Sequence, residues 1–377
     1  MSNGKKFRIL IVDDSPVVRR VLQDVIASDP ELEVAGTASN GKIGLEKMEA
    51  LKPDLITLDI EMPEMDGLAT LAEIRRRTRR LPVIMFSTLT VRGAASTLDA
   101  LSLGADDYVP KERNTLGLAA AIEDIKHDLL PKIHALCSRD LPRPAQARVA
   151  LPVSAVARPK RPEKKIDAVV IGVSTGGPDA LAKVFSSIPY LPVPVMVVQH
   201  MPPVFTKLLA ERLTTKSPMP VKEAAGGEVL EPGTIWLAPG GSHMKVSRRT
   251  NSTCGLQLDQ SPPRNFCRPS VDVLFESAVE VFGSGLLAVV LTGMGSDGLQ
   301  GCEQVRRVGG QIVIQDEPTS IVWGMPGAVA RAGLADVIKP LSQIADEIVN
   351  RVLRTRSANR PLMPVGTVRS AYVHKSE

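Results

Sequence analysis

Aromatic side chains make up only 3% of the 377 residues, so there is no stock of ring faces on which single-stranded nucleic acid could stack. Long apolar runs are missing as well. Leu286 to Leu291 and Val193 to Val198 are among the longest, far short of the ~20 residues a membrane-spanning helix needs. The opening MSNGKKF leads straight into a strand-like segment without the apolar stretch of a signal peptide. A cytoplasmic protein with no direct membrane insertion is expected. Cysteine is scarce too: Cys137, Cys254, Cys267 and Cys302 lie far apart and form no CxxC pair, which argues against structural zinc and fits a reducing compartment.

What is present is enough apolar residue for large cores, 44% against 23% charged, which excludes a chain disordered throughout. The net charge of +5 is unevenly spread. Residues 1–130 carry 17 basic and 21 acidic side chains, residues 137–165 carry 8 and 2, and the chain from 351 onward carries 6 and 1. The basic excess therefore sits in connecting and terminal chain, and the folded regions lack the electrostatic footprint of a nucleic-acid binder. From Cys137 to Lys165 the sequence CSRDLPRPAQARVALPVSAVARPKRPEKK holds five prolines and no helix or strand periodicity. It reads as a partly stiff linker with solvated cations, or else as a basic docking segment. The expected organisation is a first domain over 1–136, this linker over 137–165, a second domain over 166–355 and a frayed tail over 356–377.

Before the linker, β-rich runs alternate with amphipathic ones: FRILIVDD then PVVRRVLQDVIASD, EVAGTA then GKIGLEKMEAL, DLITLD then DGLATLAEIRRRT, PVIMFS then GAASTLDALSL, DDYVP then LGLAAAIEDIKHDLL. Five βα units predict a flavodoxin-like, doubly wound α/β domain with a five-stranded parallel sheet, in which ligands sit beyond the carboxyl ends of the strands. Asp13 and Asp14 end the first strand, Asp59 the third and Ser87 the fourth, while Lys111 follows the fifth. Each aspartate alone could be a helix cap or turn residue. Three carboxylates converging on one edge repel unless a cation sits among them, and an all-oxygen set suits Mg²⁺.

These residues, in ILIVDDS, DLITLDIEMPEMDG, PVIMFS and YVPKE, resemble the receiver domain of two-component response regulators. The resemblance implies that Asp59 accepts a phosphoryl group from a histidine kinase, that Asp13, Asp14 and Asp59 hold Mg²⁺, and that Lys111 and Ser87 engage the phosphate. Glu112 stands where the family usually has proline, which puts the shape of the lysine loop in question.

After the linker, IDAVVIGVSTGGPDALAKVF reads as strand, glycine-rich turn and helix, with Ser174 at the turn. A packing turn, a phosphate cradle and a nucleophile elbow are all compatible with it, although no P-loop lysine follows. The next strand, VPVMVVQHMP, ends at His200, and GLLAVVLTGMGSDGLQG brings Asp297 to a third strand-to-helix crossing. Serine, histidine and aspartate at three strand ends supply nucleophile, general base and orienting carboxylate if the strands are neighbours. The order serine, histidine, aspartate differs from the serine, acid, histidine order of α/β-hydrolases, so another doubly wound, mainly parallel α/β fold is expected.

The strings GVSTGGP, VVQHMP, APGGSHM, FCRPSVDVLF, LTGMGSDG and QDEPTSIVWGMPGAVA, together with the receiver, resemble the chemotaxis protein-glutamate methylesterase and glutaminase family. The resemblance implies a catalytic set of Ser174, Thr175, His200, Met294 and Asp297, with oxyanion donors near Met294 and the Thr175 turn and no cofactor for the esterase step. It also implies hydrolysis of glutamate γ-methyl esters, and deamidation of glutamine, on chemoreceptor helices, with a receiver that covers the cleft until it is phosphorylated. The same chemistry on the receptor of a surface-sensing pathway, or a non-enzymatic phosphorylation-dependent module, are the alternatives.

Overall fold

The computed structural model describes residues 6–111, 118–138, 164–249 and 253–357. Residues 139–163 of the expected linker, residues 358–377 of the expected tail and Glu112 lie outside the described residues. In the first domain β1 (Phe7–Val12), α1 (Pro16–Ala27), β2 (Leu32–Ala38), α2 (Gly41–Leu51), β3 (Leu55–Asp59), α3 (Gly67–Arg77), β4 (Val83–Ser87), α4 (Val91–Ser102), β5 (Asp107–Pro110) and α5 (Leu118–Cys137) follow one another. The sheet order is β2-β1-β3-β4-β5, with every pairing parallel. That is the doubly wound order with its switch point between β1 and β3. All five residues of β3 and of β4 are buried, as expected for strands covered by helices on both faces.

Local chemistry starts the helices. Ser15, Asn40, Asp66 and Thr90 each accept a backbone N–H at the head of α1 to α4, satisfying donors that a helix leaves orphaned. Gly67 opens α3 against the chain leaving β3. A Cβ there would lie 2.1 Å from the Asp59 carbonyl oxygen, so only glycine lets the helix start so close to the strand end.

The second domain holds β6 (Ala168–Val173), α6 (Gly177–Ser187), β7 (Val195–Gln199), α7 (Phe205–Lys216), β8 (Val221–Glu223), β9 (Ile235–Leu237), the hairpin β10 (His243–Arg248) and β11 (Cys254–Asp259), α8 (Val271–Phe282), β12 (Leu286–Val290), α9 (Leu299–Arg307), β13 (Gln311–Gln315), α10 (Met325–Arg331), β14 (Val337–Lys339) and α11 (Leu341–Ser357). Seven strands form a parallel sheet in the order β14-β13-β12-β6-β7-β9-β8, and β10 pairs antiparallel with β11. The chain winds one way from β6 through β7 and returns on the other side at β12. The crevice therefore opens beyond the carboxyl ends of β6 and β12. Among the described residues no helix is long and apolar enough to cross a membrane.

Helix α4 of the first domain lies on α6 and α7 of the second, and one apolar cluster runs from Leu98 and Leu101 into Leu209 and Leu213. Arg212 fixes the contact through an ion pair to Asp99 at 2.8 Å and a bond to the Ala95 carbonyl at 2.8 Å.

Candidate active site

In the first domain, β1 and β3 are paired neighbours, so Asp13 and Asp59 emerge side by side. Lys111 Nζ reaches both, 2.7 Å from Asp59 Oδ2 and 3.0 Å from Asp13 Oδ2. One oxygen each from Asp13, Asp14 and Asp59 lies within 4.8 Å of the others, and Asp13 Oδ2 is buried with no hydrogen bond beyond its ion pair. Burial, helped by the charge of Asp13, outweighs the bond from Lys111 and raises the Asp59 carboxyl to about 6. An under-neutralised cluster of carboxylate oxygens fits a hard divalent cation such as Mg²⁺. The Ser87 hydroxyl is turned to α4, receiving the Thr97 hydroxyl at 2.7 Å and donating to the Gly93 carbonyl at 3.2 Å.

In the second domain, Val173 is the register partner of Gln199, so Ser174 and His200 leave adjacent strands one step later. The His200 N–H closes the ladder on the Val173 carbonyl at 3.2 Å. Gln199, fully buried, donates from Nε2 to the carbonyls of Ser174 at 3.0 Å and His200 at 3.2 Å, tying the two backbone corners together. From the other side the Ser174 N–H donates to the Thr292 carbonyl at 3.0 Å, and the Thr292 hydroxyl donates to the Thr175 carbonyl at 2.9 Å. Gly293 makes this approach sterically feasible, since a Cβ there would sit 2.8 Å from Ser174 Cβ. Met294 is half-buried on the same turn.

His200 Nε2 lies 2.8 Å from Asp297 Oδ2. Asp297 in turn accepts the N–H groups of Val271 at 2.7 Å and Asp272 at 3.2 Å at the head of α8, together with the Ser270 hydroxyl at 2.8 Å and Asn265 Nδ2 at 3.0 Å. Burial would push the Asp297 carboxyl up, but His200 and these donors hold it well below the usual carboxylate range. Its neighbour Asp272 is raised to about 6 by burial and by the charge of Asp297, against the N–H of Gly301. Burial disfavours a charged His200, yet Cys267 and Asp297 outweigh it and raise the imidazole above its ordinary value. Because Nε2 is committed to Asp297, Nδ1 is the nitrogen left for a substrate-side proton. That atom lies 3.6 Å from Cys267 Sγ. Among the described residues the Ser174 hydroxyl has no hydrogen-bond partner, and neither the Thr175 nor the Met294 backbone N–H donates to a protein acceptor.

The first domain reaches into this site. Asp107, buried at the start of edge strand β5, accepts the Thr175 hydroxyl at 2.7 Å, and Tyr108 stacks on Phe205 with ring centroids 4.9 Å apart and 9° between planes. Neither residue is singled out by the sequence patterns, nor are Gln199, Asn265, Ser270 or Cys267 as parts of the site. An acid opening a buried strand is the local oddity that points to Asp107, but its partner stands 68 positions away.

Two doubly wound domains, one with a lysine-bridged acidic pocket and the other with serine, histidine and aspartate at neighbouring strand ends, define the class of receiver-controlled hydrolases. The sequence matches the response regulator receiver domain over residues 9–123 and the CheB methylesterase over residues 169–348. It is 47% identical to a protein-glutamate methylesterase/protein-glutamine glutaminase of Nocardioides sp. JS614, over 96% of this chain and 99% of the relative. It is 48% identical to one of Trichodesmium erythraeum, over 92% and 99%. The crystal structure of the Thermotoga maritima CheB methylesterase catalytic domain, 41% identical, aligns with 49% of this chain and 98% of its own at a TM-score of 0.48. The chain belongs to the family of receiver-linked protein-glutamate methylesterases/protein-glutamine glutaminases.

Proposed function

We propose that the chain hydrolyses glutamate γ-methyl esters on chemoreceptor helices, and deamidates receptor glutamines by the same route, under the control of phosphorylation at Asp59. The observation that carries this reading is the register of β6 on β7, which sends Ser174 and His200 out of one crevice with His200 held by Asp297. Nε2–H donates to Asp297, so in the neutral imidazole, the form that acts as base, the lone pair lies on Nδ1. In the substrate complex the Ser174 hydroxyl gives its proton to Nδ1 and its oxygen attacks the ester carbonyl. The imidazolium then protonates the leaving group, which departs as methanol from the ester or as ammonia from the amide, and water repeats the sequence to release the acid. Catalytic hydrogen bonds commonly tighten only when substrate is bound. The free N–H groups of Thr175 and Met294 serve as oxyanion donors, worth ~2.7–4 kcal/mol each.

In the receiver, Asp13, Asp14 and Asp59 would hold Mg²⁺, which when bound neutralises charge on the phosphoryl oxygens during transfer from the kinase. Lys111 shares that task, and Ser87 turns from α4 towards the phosphate. Before phosphorylation the receiver obstructs the crevice and its Asp107 occupies the Thr175 hydroxyl. A tenfold change in the open population requires only ~1.4 kcal/mol.

The decisive experiment is methanol release from methylated receptor membranes, with and without a small-molecule phosphodonor. Ser174→Ala should lower the rate by about 10³-fold or more while still accepting phosphoryl label. Asp59→Asn should keep the unstimulated rate but lose both label and response. Wild-type methanol release by Ser174→Ala would end the reading.

A further inference from the structure

His200 Nδ1, the atom on which the proposed chemistry depends, faces two side chains rather than one. Cys267 Sγ lies 3.6 Å from it, and one ligating atom each from His200, Cys267 and Asp297 falls within 4.8 Å of the others. The thiol is set there by a tight turn: the N–H groups of Arg264 and Cys267 pair with each other's carbonyls at 3.1 and 2.9 Å. Asn265 and Phe266 between them take left-handed backbone, φ 51° and 61°, the pattern of a type I′ hairpin turn. Asn265 uses that turn to bridge Asp272 and Asp297. Phe266, 86% exposed, sets its ring 5.2 Å from that of His127 on α5, in a backbone conformation that costs a non-glycine residue about 1–2 kcal/mol. The turn therefore holds cysteine against the imidazole despite an unfavourable backbone.

The other thiols are placed differently. Cys137 and Cys302 are buried, with burial pushing Cys137 up to about 12 and Cys302 further still. Cys254 is half-buried in β11, away from the Ser174, His200 and Asp297 cluster. Thiols beside an imidazole and open to solvent are the ones that react in proteins. Cys267 is half-buried, as Cys254 is, and it is the thiol in contact with an imidazole.

We propose that Cys267 is a peroxide-sensitive modification site that switches the esterase off by occupying His200 Nδ1. The thiol gives its proton to Nδ1 as sulfur attacks a hydroperoxide oxygen: the S–O bond forms, the O–O bond breaks, sulfur is oxidised by two electrons, and the departing hydroxide takes that proton back from Nδ1 to leave as water. The resulting sulfenic acid donates its O–H to Nδ1, which removes the base. A thiol reductant restores the free cysteine, whereas oxidation of a methionine such as Met294 is not reversed in that way. This inference rests on His200 being the base.

The test treats the full-length protein with hydrogen peroxide, maps sulfenic acid with a dimedone-type probe by mass spectrometry, and follows methanol release in parallel. Cys267 should be labelled at least about tenfold faster than Cys254. The treated wild-type rate should fall below about a tenth of its untreated value and recover with dithiothreitol. Cys267→Ser and Cys267→Ala, each compared with its own untreated rate, should show no such fall. Equal labelling of Cys254, or the same loss in either variant, overturns the proposal. His200→Gln separates the two readings: methanol release that survives it removes His200 as base, while an unlabelled Cys267 in the wild type removes the thiol switch alone.

Discussion

Both domains gather carboxylates at the carboxyl edge of a parallel sheet, yet they treat them in opposite ways. In the receiver, Asp13 and Asp59 share a single lysine and Asp59 is raised to about 6. In the esterase domain, Asp297 is surrounded by donors from His200, Ser270, Asn265 and the head of α8 and is held well below the usual range. The difference fits the roles proposed for the two carboxylates. In that reading Asp59 exchanges partners, taking up a cation and then a phosphoryl group, and a surplus of negative charge keeps it ready. Asp297 keeps one partner in one orientation through every turnover, and its lone pairs are all spoken for.

Replacing the satisfied carboxylate should have the largest effect. Asp297→Asn sets an NH₂ group against donors that need an acceptor and removes the charge that fixes the His200 tautomer. Methanol release should fall by roughly 10²–10⁴-fold with phosphoryl labelling of Asp59 unchanged; a rate within a few-fold of wild type would show that Asp297 orients nothing.

The receiver's surplus charge should appear as a pH dependence of stability. A carboxyl raised from 3.8 to about 6 binds its proton more tightly folded than unfolded, so stability of the metal-free protein falls as pH rises through that window and stays lower above it, by ~2–3 kcal/mol. Urea unfolding in chelator at either end of the window measures this. Asp59→Asn should remove the slope, and added Mg²⁺ should offset the loss at neutral pH.

A smaller effect is expected from geometry alone. In Gly293→Ala the added methyl meets Ser174 Cβ at 2.8 Å and Met325 Sδ at 2.5 Å, so the nucleophile turn must shift. A displacement of that size should cost about 10²-fold in kcat with the receiver unaffected. The smallest change is expected where the two regions touch. Asp107→Ala frees the Thr175 hydroxyl, and losing one buried charge-assisted bond should raise the unphosphorylated rate by about tenfold, with little effect once Asp59 is phosphorylated. An unchanged unstimulated rate would mean that the contact restrains nothing.

Much of the framework is legible in the sequence because it is local. LITLD closes on Asp59, an apolar run ending in an acid, and GVSTGG turns at Ser174, an apolar run followed by small residues. The alternation of such runs also gives the doubly wound class. The strand order of the larger sheet is not written in any local pattern, so the placing of Ser174 and His200 at the ends of adjacent strands depends on a pairing known only from the fold. The support around Asp297 was beyond reach for the same reason: Asn265 and Ser270 act across 32 and 27 positions through turns fixed by tertiary packing. Cys267 reads as an isolated thiol until its loop is folded. The interdomain linker, the tail and the residue after Lys111 fall outside the described residues.

Strand β5 makes its two contacts with the neighbouring domain through consecutive residues, Asp107 by a carboxylate and Tyr108 by a ring. Successive side chains of a strand leave on opposite sides, so the partner clasps this strand from two directions, and a small rotation about its long axis loosens both grips in one motion.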